Sequence, residues 1–208
     1  MAISVIMPAY NEAQRIGCVI KSITPYVDEL LVIDDGSKDN TAGAAQEAGA
    51  HVIRQEHSGY IAALKRGFRE SKNDIIVTID ADGEHCASDI PRLVSPIDSG
   101  DADLVLGIRL KPARISETFI NWLTNIRVRT VDACTGFRAL KRDLALQLSL
   151  KGSCTCGILV LEAKYIGAKV IDVPIATIQI DKKRSIAWYH IRQFGYVIMW
   201  LLKQKRRL

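Results

Sequence analysis

Asp80 and Asp82 stand one residue apart directly after the apolar run Ile75-Ile76-Val77-Thr78-Ile79. Where an extended chain ends, alternate side chains can turn towards one ion, and two carboxylates suit a hard cation such as Mg²⁺ or Mn²⁺. Gly83 and His85 follow at once. Taken alone, the pair equally caps and solvates a strand end. A second acidic pair, Asp34 and Asp35, closes another apolar run before Gly36, and Ser37, Asp39 and Asn40 supply capping groups for a following helix. A turn and a cap account for most of that pattern, but not for several carboxylates at one edge, which are costly to gather unless a cation or ligand compensates them. Upstream, Pro8-Ala9-Tyr10-Asn11-Glu12 combines a rigid turn, an aromatic face and a carboxylate. It could stack and hydrogen-bond a nucleobase and ribose, or be a strand-to-helix turn with Asn11 as N-cap.

The elements that must position these groups alternate. ISVIMP precedes a helix from about Glu12, ELLVID one from about Asn40, HVI one from about Tyr60 and DIIVTID one from about Ala87, and DLVLGI follows. This rhythm predicts an α/β fold with a mostly parallel central sheet flanked by helices, because near-continuous apolar strands suit a sheet covered on both faces. Ligands of such sheets sit at the carboxyl ends of the strands, where all three polar motifs fall. Past Lys111 the pattern predicts helices at about Ile115–Asn125 and Gly157–Ile166. It also predicts strands near Phe137–Leu140, Lys169–Val173 and Ile175–Ile180.

At 208 residues and 48% hydrophobic composition the chain suits one catalytic domain, residues 1–185, with a C-terminal helix, residues 186–208. Its five cysteines are odd in number and irregular in spacing, and no signal-peptide pattern opens the chain, which points to a reducing, cytoplasmic setting. Cys154-Thr155-Cys156 is too tight for a zinc knuckle and has no matching second pair, so two buried thiols are expected there. The net charge of +5 is concentrated late, in Lys182, Lys183, Arg184, Lys203, Lys205, Arg206 and Arg207. No helix-turn-helix, zinc-finger or RNA-binding pattern accompanies it, so an anionic membrane surface is expected in preference to nucleic acid.

Taken together, the strings VIMPAYNE, LLVIDDGSKDNT, GYIAALKRGF, IIVTIDADGEH, DACTGFRAL and KVIDVPI resemble glycosyltransferase family 2. Within it they resemble the dolichol-phosphate mannosyltransferase-like polyprenyl-phosphate glycosyltransferases. The resemblance implies a single GT-A domain that moves a hexose from GDP-mannose or a UDP-hexose to a polyprenyl or dolichyl phosphate. It implies that Pro8, Tyr10, Glu12 and Asp35 line the nucleoside pocket, joined by Asp80, Ala81 and Asp82 around the donor. Asp80 and Asp82 would hold Mg²⁺ or Mn²⁺ on its diphosphate. Arg109, Arg138 and, by a looser match, Arg114 would serve the acceptor phosphate, with Asp82, Arg109 and Arg138 the catalytic set. Two family features are missing. Ile158 stands where relatives carry a glutamate, with Glu162 one helical turn later, and Ile180 and Lys183 take the places of the arginine and glycine of an arginine-glycine-serine-lysine pattern, leaving Ser185, with Lys182, Lys183 or Arg184 to supply the lost charge.

The stretch Ile186–Leu202 is apolar and aromatic but interrupted by His190, Arg192 and Gln193. As a helix it reaches about 26 Å, short of the ~30 Å hydrocarbon core, which favours an amphipathic interfacial helix over a span. Packing on the catalytic domain, on a membrane-protein partner or on a second copy is the alternative. Rival functions are transfer to a non-lipid acceptor and a non-catalytic nucleotide- or lipid-binding module. A phosphotransferase using the Asp-x-Asp pair ranks below these, because its nucleophile would follow the first strand, where this chain has Met7-Pro8.

Overall fold

The computed structural model describes residues 2–109, 115–178 and 187–205. In chain order the elements are β1 (Ile3–Ala9), α1 (Ile16–Ile23), β2 (Glu29–Asp34), α2 (Thr41–Glu47), β3 (His51–Arg54), α3 (Tyr60–Glu70), β4 (Ile75–Thr78) and α4 (Ile90–Asp98). Then follow β5 (Leu104–Ile108), α5 (Ile115–Thr124), β6 (Arg138–Lys141), α6 (Arg142–Gln147), α7 (Ile158–Tyr165), β7 (Val170–Pro174) and α8 (Ala187–Lys205). The seven strands form one sheet in the order β3-β2-β1-β4-β6-β5-β7. Neighbours run parallel except β6, which is antiparallel to both β4 and β5.

Alternation along each strand divides the core into two layers, because successive side chains leave a strand on opposite faces. Val5, Met7, Val32 and Val77 pack beneath Ile16 and Ile20 of α1 and Leu93 of α4. Ile6, Ile33, Ile76, Leu106 and Leu140 pack beneath Leu64 and Phe68 of α3 and Leu159 of α7. Runs such as Val5-Ile6-Met7 and Ile75-Ile76-Val77 are therefore apolar on both faces, as sheets covered on both sides require.

The strand order reverses at β1, which has β2 on one side and β4 on the other. Pro8 is tolerated in this central strand because the β4 ladder has already ended at Thr78 opposite Ile6. Residues of β1 bond alternately to the two neighbours, Ile6 O accepting from Ile79 N and Ala9 O from Asp35 N. The missing N–H of Pro8 thus falls where β4 has turned away.

Three local expectations need correction. The first helix begins at Ile16, not near Glu12. Asn11 adopts a left-handed conformation (φ 57°), and the backbone amides of Asn11, Glu12 and Ala13 donate to Ser37 Oγ, Thr41 Oγ1 and Asp39 Oδ2. Those three residues are spent tying the first loop to the second, and Asn11 is no N-cap: its Oδ1 accepts from Lys38 N at 2.8 Å. Secondly, the expected strand at Ile175–Ile180 is not formed over its described part, where Thr177 makes an isolated bridge to His85 and Ile178 N donates to Glu84 O. Gln179 and Ile180 lie outside the described residues. Thirdly, the short helix α6 directly after β6 had no counterpart in the sequence reading.

Two glycines predict opposite signs. A Cβ on Gly67 of α3 would run into the Ile6 side chain, whereas one on Gly195 of α8 meets open space. Gly67→Val should lower stability by about 1–3 kcal/mol through overpacking. Gly195→Ala should raise it by up to about 1 kcal/mol through helix propensity. Urea unfolding of the two variants measures both.

Candidate active site

The carboxyl ends of β1, β2 and β4 meet at one sheet edge, and the antiparallel β6 delivers its amino end there. Arg138, its first residue, pairs in register with Thr78, two residues before Asp80. Thr78 Oγ1 donates to Gly136 O at 2.8 Å, closing the β6 approach against β4. A Cβ on Gly136 would collide with the Asp80 carboxylate, so the glycine is what lets that carboxylate lie against the backbone.

Asp80 and Asp82 are both half-buried. Tyr60, at the amino end of α3, donates to Asp80 Oδ1 at 3.2 Å, and His85 Nε2 lies 3.9 Å from Asp80 Oδ2. Asp82 Oδ1 accepts from Glu84 N at 3.0 Å, the closed turn that follows the strand. Burial pushes the His85 imidazole below its usual range, with Asp80, Glu84 and Asp82 pulling the other way. Its buried Nδ1 has no hydrogen-bond partner among the described residues. Burial first, and Asp80 second, push the Tyr60 phenol well up, so it stays a donor to Asp80. The donor set at this edge is carboxylate oxygen with a neutral imidazole beside it, which fits a hard divalent cation held by Asp80 and Asp82.

Pro8, Tyr10, Glu12 and Asp35, expected around the nucleoside, share the edge where β1 and β2 end. Pro8 is buried in β1, and Tyr10 and Glu12 are half-buried at its end. The Tyr10 ring lies 4.4 Å from the ring of His57, centroid to centroid, tilted by 32°. Asp35 is buried and organises that wall. Its Oδ1 accepts from Gln55 Nε2 (2.7 Å) and Ser58 N (2.9 Å), its Oδ2 accepts from Gly59 N (2.9 Å), and His57 Nδ1 lies 2.9 Å from Oδ2. Asp34 points elsewhere, accepting from Ser37 N and from Arg54 Nε.

Arg109 does not stand open to an acceptor. Its side chain is 7% exposed, with Nε 2.6 Å from Asp132 Oδ2, Nη2 2.9 Å from Glu117 Oε2 and Nη1 3.7 Å from Glu84 Oε1. Burial works against its charge, but the hydrogen bond and charge of Asp132, with Glu117 and Glu84, more than offset it and hold the guanidinium above its ordinary value. Glu117 is pushed up by burial, with Arg109 opposing. Arg138 differs: it is fully buried, Nη1 donates to Thr155 Oγ1 at 3.0 Å, and Nε and Nη2 have no acceptor among the described residues. Two orphaned donors on a buried cation are costly and mark a place where an anion or water belongs.

Glu162 is not free to replace the glutamate missing at Ile158. Both its oxygens serve the preceding loop, accepting from Ser149 N, Ser149 Oγ and Leu150 N. Arg114, Lys182, Lys183, Arg184 and Ser185 lie outside the described residues. Sequence reasoning missed Tyr60, His57, Glu84, Glu117 and Asp132 as site residues. Tyr60, Glu84 and Asp132 lie inside the strings GYIAALKRGF, IIVTIDADGEH and DACTGFRAL, where they could have been weighed.

Residues 4–156 match the family model described as glycosyl transferase family 2. The chain belongs to glycosyltransferase family 2. It is 30% identical over 216 residues to a UDP-N-acetylglucosamine--dolichyl-phosphate N-acetylglucosaminyltransferase of Methanococcus voltae, covering 85% of each chain. It is 28% identical over 204 residues to a polyprenol monophosphomannose synthase of Mycolicibacterium smegmatis, covering 82% of this chain and 75% of that one. Among solved structures it resembles glucosyl-3-phosphoglycerate synthase of Mycobacterium tuberculosis in complex with Mn²⁺, UDP-glucose and phosphoglyceric acid. The TM-score is 0.81 at 26% identity, over 95% of this chain and 78% of that one. The protein is thus a family 2 glycosyltransferase with one α/β domain of the GT-A type. Its family includes members that bind Mn²⁺ with a uridine diphosphate donor.

Two substitutions probe the geometry. Gly136→Ala should displace the Asp80 carboxylate and cut turnover at least about tenfold, or ~1.4 kcal/mol in the barrier, with a far-UV spectrum like wild type. Arg109→Met should cost about 3–5 kcal/mol in urea unfolding, because three carboxylates would be left around a neutral side chain.

Proposed function

We propose that this family 2 enzyme moves a hexose from a nucleotide diphosphate sugar to a polyprenyl phosphate, with inversion by in-line attack of the acceptor phosphate. The observation that carries the lipid acceptor is a face of α5. Its inner side gives Glu117 to Arg109, while Ile115, Phe119 and Trp122, spaced as one helical stripe, are 59–80% exposed, and Ile126 continues the line beyond the helix. On α8, Ile191, Met199 and Leu202 are likewise exposed. Apolar surface beside a polar site suits an acceptor with a hydrocarbon chain and a charged head. The M. voltae and M. smegmatis relatives carry lipid-phosphate acceptors in their names, which supports the same reading.

In this reading the chain's own residues divide the work. Tyr10 and His57 stack against the base, and Asp35 holds the 55–59 loop that carries His57. Asp80 and Asp82 hold Mg²⁺ or Mn²⁺, which when bound neutralises the charge that develops on the departing nucleoside diphosphate. The acceptor phosphate is already an anion, so it needs cationic positioning more than a general base. Arg138 offers it two N–H donors from a buried site. Arg109 positions Glu84 and Asp132 instead of touching the acceptor. Lys182, Lys183 and Arg184 follow Ile178, which is bonded to Glu84 next to the acidic edge, and are proposed to meet the diphosphate. A soluble phosphorylated acceptor is the second reading, favoured by the phosphoglyceric acid bound to the structural neighbour.

No helix among the described residues is long and apolar enough to cross a membrane. The proposal is therefore peripheral attachment at the cytoplasmic face, through the exposed stripes and the late basic clusters. Truncating the last helix would not test this cleanly, since His190, Gln193 and Val197 of α8 are buried in the domain.

Two results are expected. Asp82→Asn, or excess EDTA with the wild type, abolishes transfer from a nucleotide sugar to a polyprenyl phosphate; undiminished turnover in either defeats the metal assignment. Phe119→Asp/Trp122→Asp loses sedimentation with anionic vesicles but keeps nucleoside diphosphate binding. Wild-type binding should weaken as salt rises, because the basic clusters contribute a screened term of about 1 kcal/mol per residue near the surface. A wild-type chain that stays in the supernatant at low salt favours the soluble acceptor.

A further inference from the structure

The short Cys154-Thr155-Cys156 pair finds its partners far away in sequence. Sγ of Cys154, Sγ of Cys156 and a ring nitrogen of His190 all lie within 4.8 Å of one another. His190 Nε2 is 3.9 Å from Cys156 Sγ. Cys134, outside that group of three, brings a further thiol towards Cys156 from the loop before β6, its Sγ lying 4.0 Å from Glu117 O. Zn–S bonds of about 2.3 Å in a tetrahedron place ligand atoms roughly 3.5–3.8 Å apart, so the 3.9 Å between His190 Nε2 and Cys156 Sγ already approaches that spacing.

The surroundings are those of a held site. His190 Nδ1 lies 2.7 Å from Ser116 Oγ. With Nδ1–H donating to that hydroxyl, the Nε2 lone pair faces Cys156, the outer-shell arrangement that orients a metal-bound imidazole. Three residues further along α8, Gln193 clamps the cysteine loop. Its Oε1 accepts from Ser153 N (2.9 Å) and Cys154 N (3.2 Å), and its Nε2 donates to Cys156 O (3.1 Å). Gly157 N donates to Ala133 O at 3.1 Å, joining this loop to the one that carries Cys134. Cys156, His190 and Gln193 are all buried.

We propose that Cys134, Cys154, Cys156 and His190 form a structural site for one zinc ion, which fastens α8 to the loops around the catalytic edge. The ligand class follows from the donors: three sulfurs and one imidazole nitrogen select a borderline-soft tetrahedral cation and not Mg²⁺ or Mn²⁺. The site is thus chemically separate from the carboxylates of Asp80 and Asp82. Thr155, between two of the ligands, accepts the Arg138 hydrogen bond, so ordering this loop also fixes the hydroxyl that Arg138 bonds.

Cobalt is the probe, because thiolate coordination gives charge-transfer absorption and tetrahedral d–d bands that carboxylate coordination does not. The full chain, reduced and stripped of metal, is titrated with Co²⁺ and then Zn²⁺. The expected result is one equivalent of thiolate-bound Co²⁺, displaced by Zn²⁺, untouched by excess Mg²⁺ and unchanged in Asp82→Asn. Cys156→Ser and His190→Ala should weaken Co²⁺ binding at least about tenfold, whereas Cys18→Ser should not. Thiol alkylation of the wild type needs no variant to fold. Zn²⁺ should protect Cys134, Cys154 and Cys156 and leave exposed Cys18 labelled to the same extent. Absence of thiolate–cobalt absorption in the reduced chain, or equal labelling with and without Zn²⁺, overturns the proposal, and recovery of a disulfide within the cluster after air exposure as its sole chemistry does so as well.

Discussion

The guanidinium of Arg109 joins four parts of the molecule that the chain order keeps apart. It leaves the end of β5 and meets Asp132 before β6, Glu117 on α5 and Glu84 after β4. Burying one cation among three carboxylates is expensive, and the cost is offset only while every partner is in place. The network is therefore all-or-none in its demands on geometry. It keeps the post-β4 loop, which carries Asp82 and His85, at a set distance from the loop that brings Gly136 and Arg138 to Asp80. Asp80, Asp82 and the buried Arg138 share one frame because Arg109 sits between their supports.

The first half of the fold was legible, and for a clear reason. Continuous apolar strands such as Ile75–Thr78 and punctuation such as Asp34-Asp35-Gly36 are local signals, and β1 to β5 appear where those signals fall. Positions inside loops were less legible. Asn11 looked like a helix cap because its type favours one, but Ser37, Asp39 and Thr41 capture the loop amides first. The acidic edge was visible through Asp80 and Asp82. The partners of Arg109 were not, since Asp132, Glu117 and Glu84 come from separated segments and each alone reads as an ordinary surface carboxylate.

The last helix inverts a common inference. His190 and Gln193 interrupt an apolar stretch, and they belong to its buried face. Their polarity is used inside, on the cysteine loop and on Ser116, while Ile191, Met199 and Leu202 remain outside. The interruption signalled amphipathicity without telling which side meets the protein. A single Cys-x-Cys pair carried too little information for the same reason: Cys134 and His190 reach it only through tertiary structure.

Because β6 enters the sheet antiparallel between β4 and β5, the separation of Arg138 from Asp80 is set by the rungs of a ladder, Thr78 opposite Arg138 and Leu106 opposite Arg138 on the other side. It does not depend on the length of the long connection that leads from β5 to β6. That connection, with α5 inside it, can therefore change its outer surface without disturbing the spacing between Asp80 and Arg138, as long as Glu117 and Asp132 keep their hold on Arg109. Diversification within such a scaffold has a natural place to act: the outward face of the excursion between the two strands can be exchanged, altering what is brought to the sheet edge while Asp80 and Arg138 stay in register.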